Sequence, residues 1–525
     1  PMTNVTNLKV DVFQMIDDKY TKVYPIKIHS SEVVPALSQL ETPLFDVLLK
    51  HRNRHPIQFH IPGHKKGSGM DPAFREFVGD NVLSIDLINI APLDDLHSPK
   101  AAIKEAQNLA AQAFGADHTF FSVQGTSGAI MTMVLTVVGP GDKILVPRNV
   151  HKSIMSAIVF AGAIPIFIHP EVDPELGISH GISPESVEKA LNKYPDAKAV
   201  LVINPTYFGF AADLKRIVDI VHAHDIPVIV DEAHGVHIKF HDELPLSAMQ
   251  AGADMAATSV HKLGGSMTGT SILNIREGLV SAKRAQSVFS MLTTTSTSYP
   301  LLASLDCARR QLAVHGYDLI DDAIRLAKDT RKRINAIPHL TCVGREKLHS
   351  SATFDMDPCK LLISVKDLGI TGHDAEEWLR YNANLEVELS DLYNILCLVT
   401  LGDTKKEMNL LVNALSRMSQ AFDSEASVTL PNVKAPEIPA LAMSPRDAFY
   451  AETEVIPLSE AHDRISAEFI MVYPPGIPIF IPGEVITEDN IKYIQMNIEA
   501  GLPVQGPEDA TLQNIRVIKE RRAIY

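Results

Sequence analysis

Between Thr42 and about Tyr299 the chain alternates short β-branched runs with stretches of helical spacing, and few architectures accept that rhythm. The runs are Lys143-Ile-Leu-Val, Ile164-Pro-Ile-Phe-Ile, Ala199-Val-Leu-Val-Ile, Val228-Ile-Val and Ser271-Ile-Leu-Asn-Ile. They are largely apolar without polar alternation, so both faces need cover, which a parallel sheet flanked by helices provides. Between them, Ser183 to Lys193 and Leu214 to His224 have helical spacing with polar faces. Ser183-Pro184 sets a capping residue before a proline at the first helical position. The expected fold class is α/β.

The 525 residues divide by pattern. Residues 1–41 read as an N-terminal extension without a clear period, and 42–300 as the large domain. A long helical pattern from Leu301 to about Ile337, with strand-like Lys360-Leu-Leu-Ile-Ser-Val and Ile395-Leu-Cys-Leu-Val-Thr, makes 301–421 a small α/β domain. Residues 422–440, with Pro431, Pro436 and Pro439, read as a linker to a C-terminal domain over 441–525. That last domain contains Tyr473-Pro-Pro-Gly-Ile-Pro-Ile-Phe-Ile-Pro-Gly-Glu484.

Net charge is −15 and no block of lysine or arginine stands out, which argues against a nucleic-acid or anionic membrane partner. Cys307, Cys342, Cys359 and Cys397 are scattered with no CxxC, so neither a disulfide framework nor a zinc ribbon is indicated. No apolar run approaches the roughly 18 residues of a spanning helix, and no signal-peptide pattern opens the chain. A cytoplasmic location is the expectation.

Chemistry concentrates in two segments. Asp231 ends the hydrophobic run Ile226-Pro-Val-Ile-Val, and Lys262 follows in Thr258-Ser-Val-His-Lys-Leu-Gly-Gly, read as a small polar loop. Pyridoxal phosphate enzymes need such a pair: the lysine amine for a Schiff base, the carboxylate to keep the pyridine nitrogen protonated. Gly125-Thr126-Ser127-Gly128 lies between the strand-like Thr119-Phe-Phe-Ser-Val and a helical pattern, so its N–H groups and hydroxyls suit a phosphate. It lacks the Gly-Lys-Ser/Thr of a Walker loop. Ser259 and His261 add phosphate donors.

Histidines need weighing. His151 follows a strand and could lie on a cofactor ring or serve a structural role. His234, His237 and His241 invite a metal, but no HExxH helix carries them, so His234 is assigned to cofactor contact and no metal site is expected. An aminotransferase or a non-catalytic protein of the same fold would share Asp231 and Lys262.

Phe59-His-Ile-Pro-Gly-His-Lys-Lys-Gly67, Leu93-Asp-Asp-Leu-His97, Gly125-Thr-Ser, Asp231-Glu-Ala-His, Ser259-Val-His-Lys262, Thr293-Thr-Thr-Ser-Thr-Ser-Tyr299 and Tyr473-Pro-Pro-Gly-Ile-Pro together resemble the bacterial Orn/Lys/Arg decarboxylase family. The resemblance runs from about Glu41 to the C-terminus; one departure is His462-Asp-Arg, where the family has a Gly-Arg pair. It implies an aspartate aminotransferase-like fold type I, with pyridoxal 5'-phosphate bonded to Lys262, paired with Asp231 and stacked under His151. Gly125, Thr126, Ser127, Ser259 and His261 would hold the phosphate, and His234 would stand where some relatives have tryptophan. Thr295 and Ser296 would enter a neighbouring subunit's site, making a homodimer the minimal unit, and Glu484 would receive the distal cation of a basic amino acid. Arginine, converted to agmatine and CO2 for polyamine synthesis, is favoured over lysine and ornithine.

Overall fold

A computed structural model describes residues 39–422, 437–472, 477–499 and 504–520. The expected linker and N-terminal extension lie mostly outside the described residues, as does Tyr473-Pro-Pro-Gly476.

The centre is a seven-stranded sheet of β1 (His118–Ser122), β2 (Lys143–Pro147), β3 (Ile164–Ile168), β4 (Ala199–Ile203), β5 (Val228–Asp231), β6 (Met255–Ser259) and β7 (Ser271–Ile275). Its order is β1-β7-β6-β5-β4-β2-β3. Neighbours pair in parallel from β3 through β6, whereas β7 runs antiparallel to both β6 and β1. Two expectations are corrected here. The sheet is not wholly parallel, and Thr258 and Ser259, read as the start of a loop, close the buried strand Met255-Ala-Ala-Thr-Ser.

Helices cover the faces. Among them are α1 (Gly125–Val137) and α2 (Lys152–Ala161), and α1 packs on β6 and β7. The small side chains Ala256 and Ala257 in β6 are fully buried. Next come α3 (Pro184–Lys193), where the Ser183 side chain accepts the Ser186 N–H as the cap pattern predicts, and α4 (Leu214–His222). In α4, Leu214, Ile217, Val218 and Val221 are buried at helical spacing. Each such side chain contributes roughly 1.5–3 kcal/mol relative to exposure. After β6 comes α5 (Val260–Leu263), a single turn, so Lys262 sits on a short helix and not in a loop.

The long helix α6 (Tyr299–Ile334) leads to a four-stranded antiparallel sheet. Its strands are β8 (Thr341–Cys342), β9 (Lys360–Ser364), β10 (Leu389–Ser390) and β11 (Asn394–Leu398), in the order β8-β9-β11-β10. Further along, β12 (Thr453–Pro457) pairs with the last strand, Asn514–Ile518, while Ile470–Val472 pairs with Ile477–Phe480 and Val504–Gln505. These elements enclose a separate core that includes Ile470, Ile479, Phe480, Ile486, Ile494 and Val517. No helix among the described residues is long and apolar enough to cross a membrane.

Candidate active site

Strands β1, β2, β5 and β6 point the same way, so the residues that follow them gather along one sheet edge, where open α/β sheets build their sites. Asp231 closes β5 opposite Ala257 of β6. It is 5% exposed, and its Oδ1 accepts the Ala233 N–H at 3.1 Å. Burial raises its pKa above the ordinary carboxylate value, against that hydrogen bond and the nearby His151 and Lys262. Such a carboxylate gains from a cation placed against it.

Lys262 is half-buried, and its Nζ lies 2.9 Å from Nε2 of His234. Burial lowers the pKa of this lysine, although Asp231 and Glu388 oppose the shift. His234 is buried, its ring centroid is 4.4 Å from that of Tyr207, and its Nδ1 lies 2.7 Å from Lys360 Nζ. Burial, reinforced by Lys360 and Lys262, holds His234 well below its usual pKa, so the ring is neutral.

The other side of the site is built from small polar groups. The Gly125 N–H donates to the Gly269 carbonyl at 2.8 Å as α1 begins. The next N–H groups of that turn are free of intrahelical partners by position. Thr126 and Ser259, both buried, share a hydroxyl hydrogen bond that joins the exits of β1 and β6. Ser127 is exposed on the same turn, and His261 Nδ1 pairs with the Thr270 carbonyl at 2.8 Å. Glu232, its pKa pushed up to about 7 by burial, accepts the Ala248 N–H and the Thr258 hydroxyl, and so braces the β5 exit against β6.

His151 caps α2, its Nδ1 accepting the Ser153 N–H at 3.2 Å. Its ring is exposed, yet close enough to lower the pKa of both Asp231 and His234. Thr295 and Ser296 are exposed on the segment between Leu292 and α6, and the Ser296 N–H donates to Thr294 Oγ1.

Glu484 is a correction. Its carboxylate is 0% exposed and grips Arg148 in a two-point ion pair, Nη1 to Oε1 at 2.6 Å and Nη2 to Oε2 at 2.9 Å. The Ile481 N–H donates to Oε2 at 2.9 Å, and Arg148 donates further to the Pro478 and Ile479 carbonyls. A buried carboxylate already neutralised by a guanidinium has no open side for a substrate cation. Glu484 therefore ties the C-terminal core to the exit of β2.

Sequence reasoning also missed Lys360, Tyr207 and Asp357. Lys360 looked like the polar edge of the run Lys360-Leu-Leu-Ile-Ser-Val, and nothing local marks it as 1% exposed. A glycine gives a structural trace of it: Gly209 has φ +91°, and a Cβ there would lie 2.6 Å from Lys360 Cγ.

The residues present fit pyridoxal phosphate on their own chemistry. A buried carboxylate short of a cation suits a pyridinium, and a helix start with clustered hydroxyls suits a phosphate. A lysine of lowered basicity suits an aldehyde. With this strand order, they define the fold type I shared by many pyridoxal phosphate-dependent enzymes.

More particularly, the chain belongs to the Orn/Lys/Arg decarboxylase family, whose major domain matches residues 42–407 and whose C-terminal domain matches residues 430–507. It is 70% identical over 489 residues to an arginine decarboxylase of Bacillus anthracis, covering 93% of this chain and 99% of that protein. It is 69% identical to an arginine decarboxylase of Bacillus subtilis, covering 93% of this chain and 100% of that protein. An inducible lysine decarboxylase of Escherichia coli is 25% identical, over 89% of this chain and 78% of that protein. Among solved structures, a Francisella novicida lysine decarboxylase has the same fold with a TM-score of 0.80 at 24% identity, covering 92% of this chain and 82% of the other. The C-terminal domain match sets the aminotransferase reading aside.

Proposed function

We propose that this protein is a pyridoxal 5'-phosphate-dependent decarboxylase of L-arginine, releasing agmatine and CO2 for cytoplasmic polyamine synthesis. The observation that carries the choice of arginine is the 69–70% identity, over 93% of the chain, to proteins named for that substrate, against 25% for an inducible lysine decarboxylase.

When bound, the cofactor supplies an aldehyde that captures an amine and a protonated ring that withdraws electrons from the substrate Cα. Asp231 would keep the ring nitrogen protonated, and its burial would make that pairing strong. The α1 N-terminus, with Thr126, Ser127, Ser259 and His261, would hold the phosphate, and His151 would lie beside the ring. Lys262 would provide the resident amine that carries the cofactor. Binding energy at the distal guanidinium would be used to orient the α-carboxylate for bond cleavage. Thr295 and Ser296 are exposed in one copy and are assigned to the site of a second, which makes a dimer the smallest active unit.

The test is CO2 release by purified protein supplied with arginine, lysine and ornithine in parallel, without a keto acid. Arginine should dominate. Predominant release from lysine would overturn the substrate assignment alone, and no release from any of the three would sink the decarboxylase reading.

A further inference from the structure

Three basic side chains from distant parts of the chain meet in one row. His234 Nε2 faces Lys262 Nζ at 2.9 Å, and His234 Nδ1 faces Lys360 Nζ at 2.7 Å. His234 follows β5 and Lys262 follows β6, whereas Lys360 opens β9 of the small sheet. Lys360 also donates to the Tyr207 carbonyl at 3.2 Å.

Proton counting limits what this row can hold. A neutral imidazole has one N–H and one bare nitrogen, and an ammonium can only donate. With both contacts made, one lysine donates to the bare nitrogen while the other accepts from the N–H. The accepting lysine must be an uncharged amine. The row therefore carries at most one ammonium.

The surroundings decide where it resides. Facing the row are Asp231 and His151 beside Lys262 and His234, Asp357 and Cys359 beside Lys360, His237 bonded to Asp357 at 2.8 Å, and Glu388. Asp357 is 0% exposed on its side chain, and despite burial it is held ionised by His237 and Lys360. Asp231 is the charge that a cofactor ring claims for itself, which leaves Asp357 to favour an ammonium at Lys360. Burial brings the pKa of Lys360 down to about 8, so at neutral pH it keeps its proton yet can release it.

We propose that Lys360 is a positioning residue that holds the single proton of the row, so that Lys262 stands as a free amine with His234 as the exchangeable bridge. The proposal rests on Lys262 being the cofactor-binding lysine. Transfer along the row is balanced: the Lys360 ammonium gives a proton to Nδ1 as Nε2 gives its proton to Lys262. The products are a Lys360 amine, the other His234 tautomer and a Lys262 ammonium. No oxidant, reductant or further reactant is involved. The Cβ-free backbone at Gly209 lets the Lys360 stem pass into this position.

The full chain, freed of cofactor with hydroxylamine, is labelled competitively with acetic anhydride across pH, and the Lys262 peptide is quantified by mass spectrometry. In Lys360→Met the lone proton moves to Lys262, and its labelling midpoint should rise by about 1 pH unit or more, the size expected when one adjacent charge is lost. Lys360→Arg keeps a cation that donates to Nδ1, so the low midpoint should be retained. A midpoint unchanged in Lys360→Met, or raised as far in Lys360→Arg as in Lys360→Met, overturns the proposal. Should neither variant fold, nitrogen-15 shifts of His234 in the unsubstituted chain decide it: the proton belongs on Nε2 at pH 7, and a proton on Nδ1 contradicts the assignment. Absence of cofactor on Lys262 would defeat the functional reading while leaving these titrations intact, so the two failures are distinguishable.

Discussion

Two buried ionic clusters lie near the same edge of the main sheet and are built in opposite ways. Arg148 and Glu484 are a matched pair: guanidinium meets carboxylate at two points, and backbone groups take up further valences. Lys262, His234 and Lys360 are mismatched, with two amines competing for one neutral ring. A saturated pair clamps, because every partner is already present. A row short of a proton stays chemically poised, because its amine is held uncharged at a pH where a free lysine carries a proton. The contrast separates structural from reactive charge better than burial does, since Glu484, Asp231 and Lys360 are all buried.

The largest effect should fall on the poised cluster. Lys262→Ala removes the amine that the proposed reaction uses at every turnover, and CO2 release from arginine should drop to background while thermal stability is kept. Loss of stability instead would assign Lys262 to the clamp class.

Next, Glu484→Leu strands a buried guanidinium and should cost about 3–5 kcal/mol in urea unfolding, whereas Arg148→Met with Glu484→Leu should recover most of that loss. If Glu484→Leu leaves stability intact and raises the KM for arginine, the comparison fails and the carboxylate belongs to the substrate. For Asp231→Asn, kcat should fall by about 10²–10³, the loss expected when one preorganised electrostatic partner is removed, with the fold preserved by circular dichroism.

The smallest effect is in the pH dependence of stability. Lys360 releases its proton near pH 8 when folded and at an ordinary lysine value of about 10.4 when unfolded. Between those values the unfolded chain binds more protons, so this group makes the fold more stable as pH rises. The burial cost of Lys360 is thus full below pH 8 and fades towards pH 10. Urea midpoints at pH 7.5 and pH 10 should show the natural protein gaining on Lys360→Met by on the order of 1 kcal/mol. Parallel midpoints would mean that Lys360 is uncharged throughout.

What the sequence made legible was local. β4 and β5 are dense in β-branched residues, and Asp231 ends one of them, so strand and carboxylate could be read together. β6 escaped because Ala256 and Ala257 are weak strand formers, and packing under α1 decides their state. The reversal of β7 left no mark, since an apolar run has no direction. Glu484 was misjudged because its partner lies 336 residues away, and Lys360 was missed because its contact with His234 spans 126. Pairings at such distances exist only in the fold.

The central claim is that Lys262 is the reactive amine of the poised row. Purified protein with its cofactor is reduced with borohydride, digested and mapped by mass spectrometry. The expected result is a pyridoxyl adduct on the Lys262 peptide and none on Lys360. Recovery of unmodified Lys262, or an adduct on a different lysine, would contradict it.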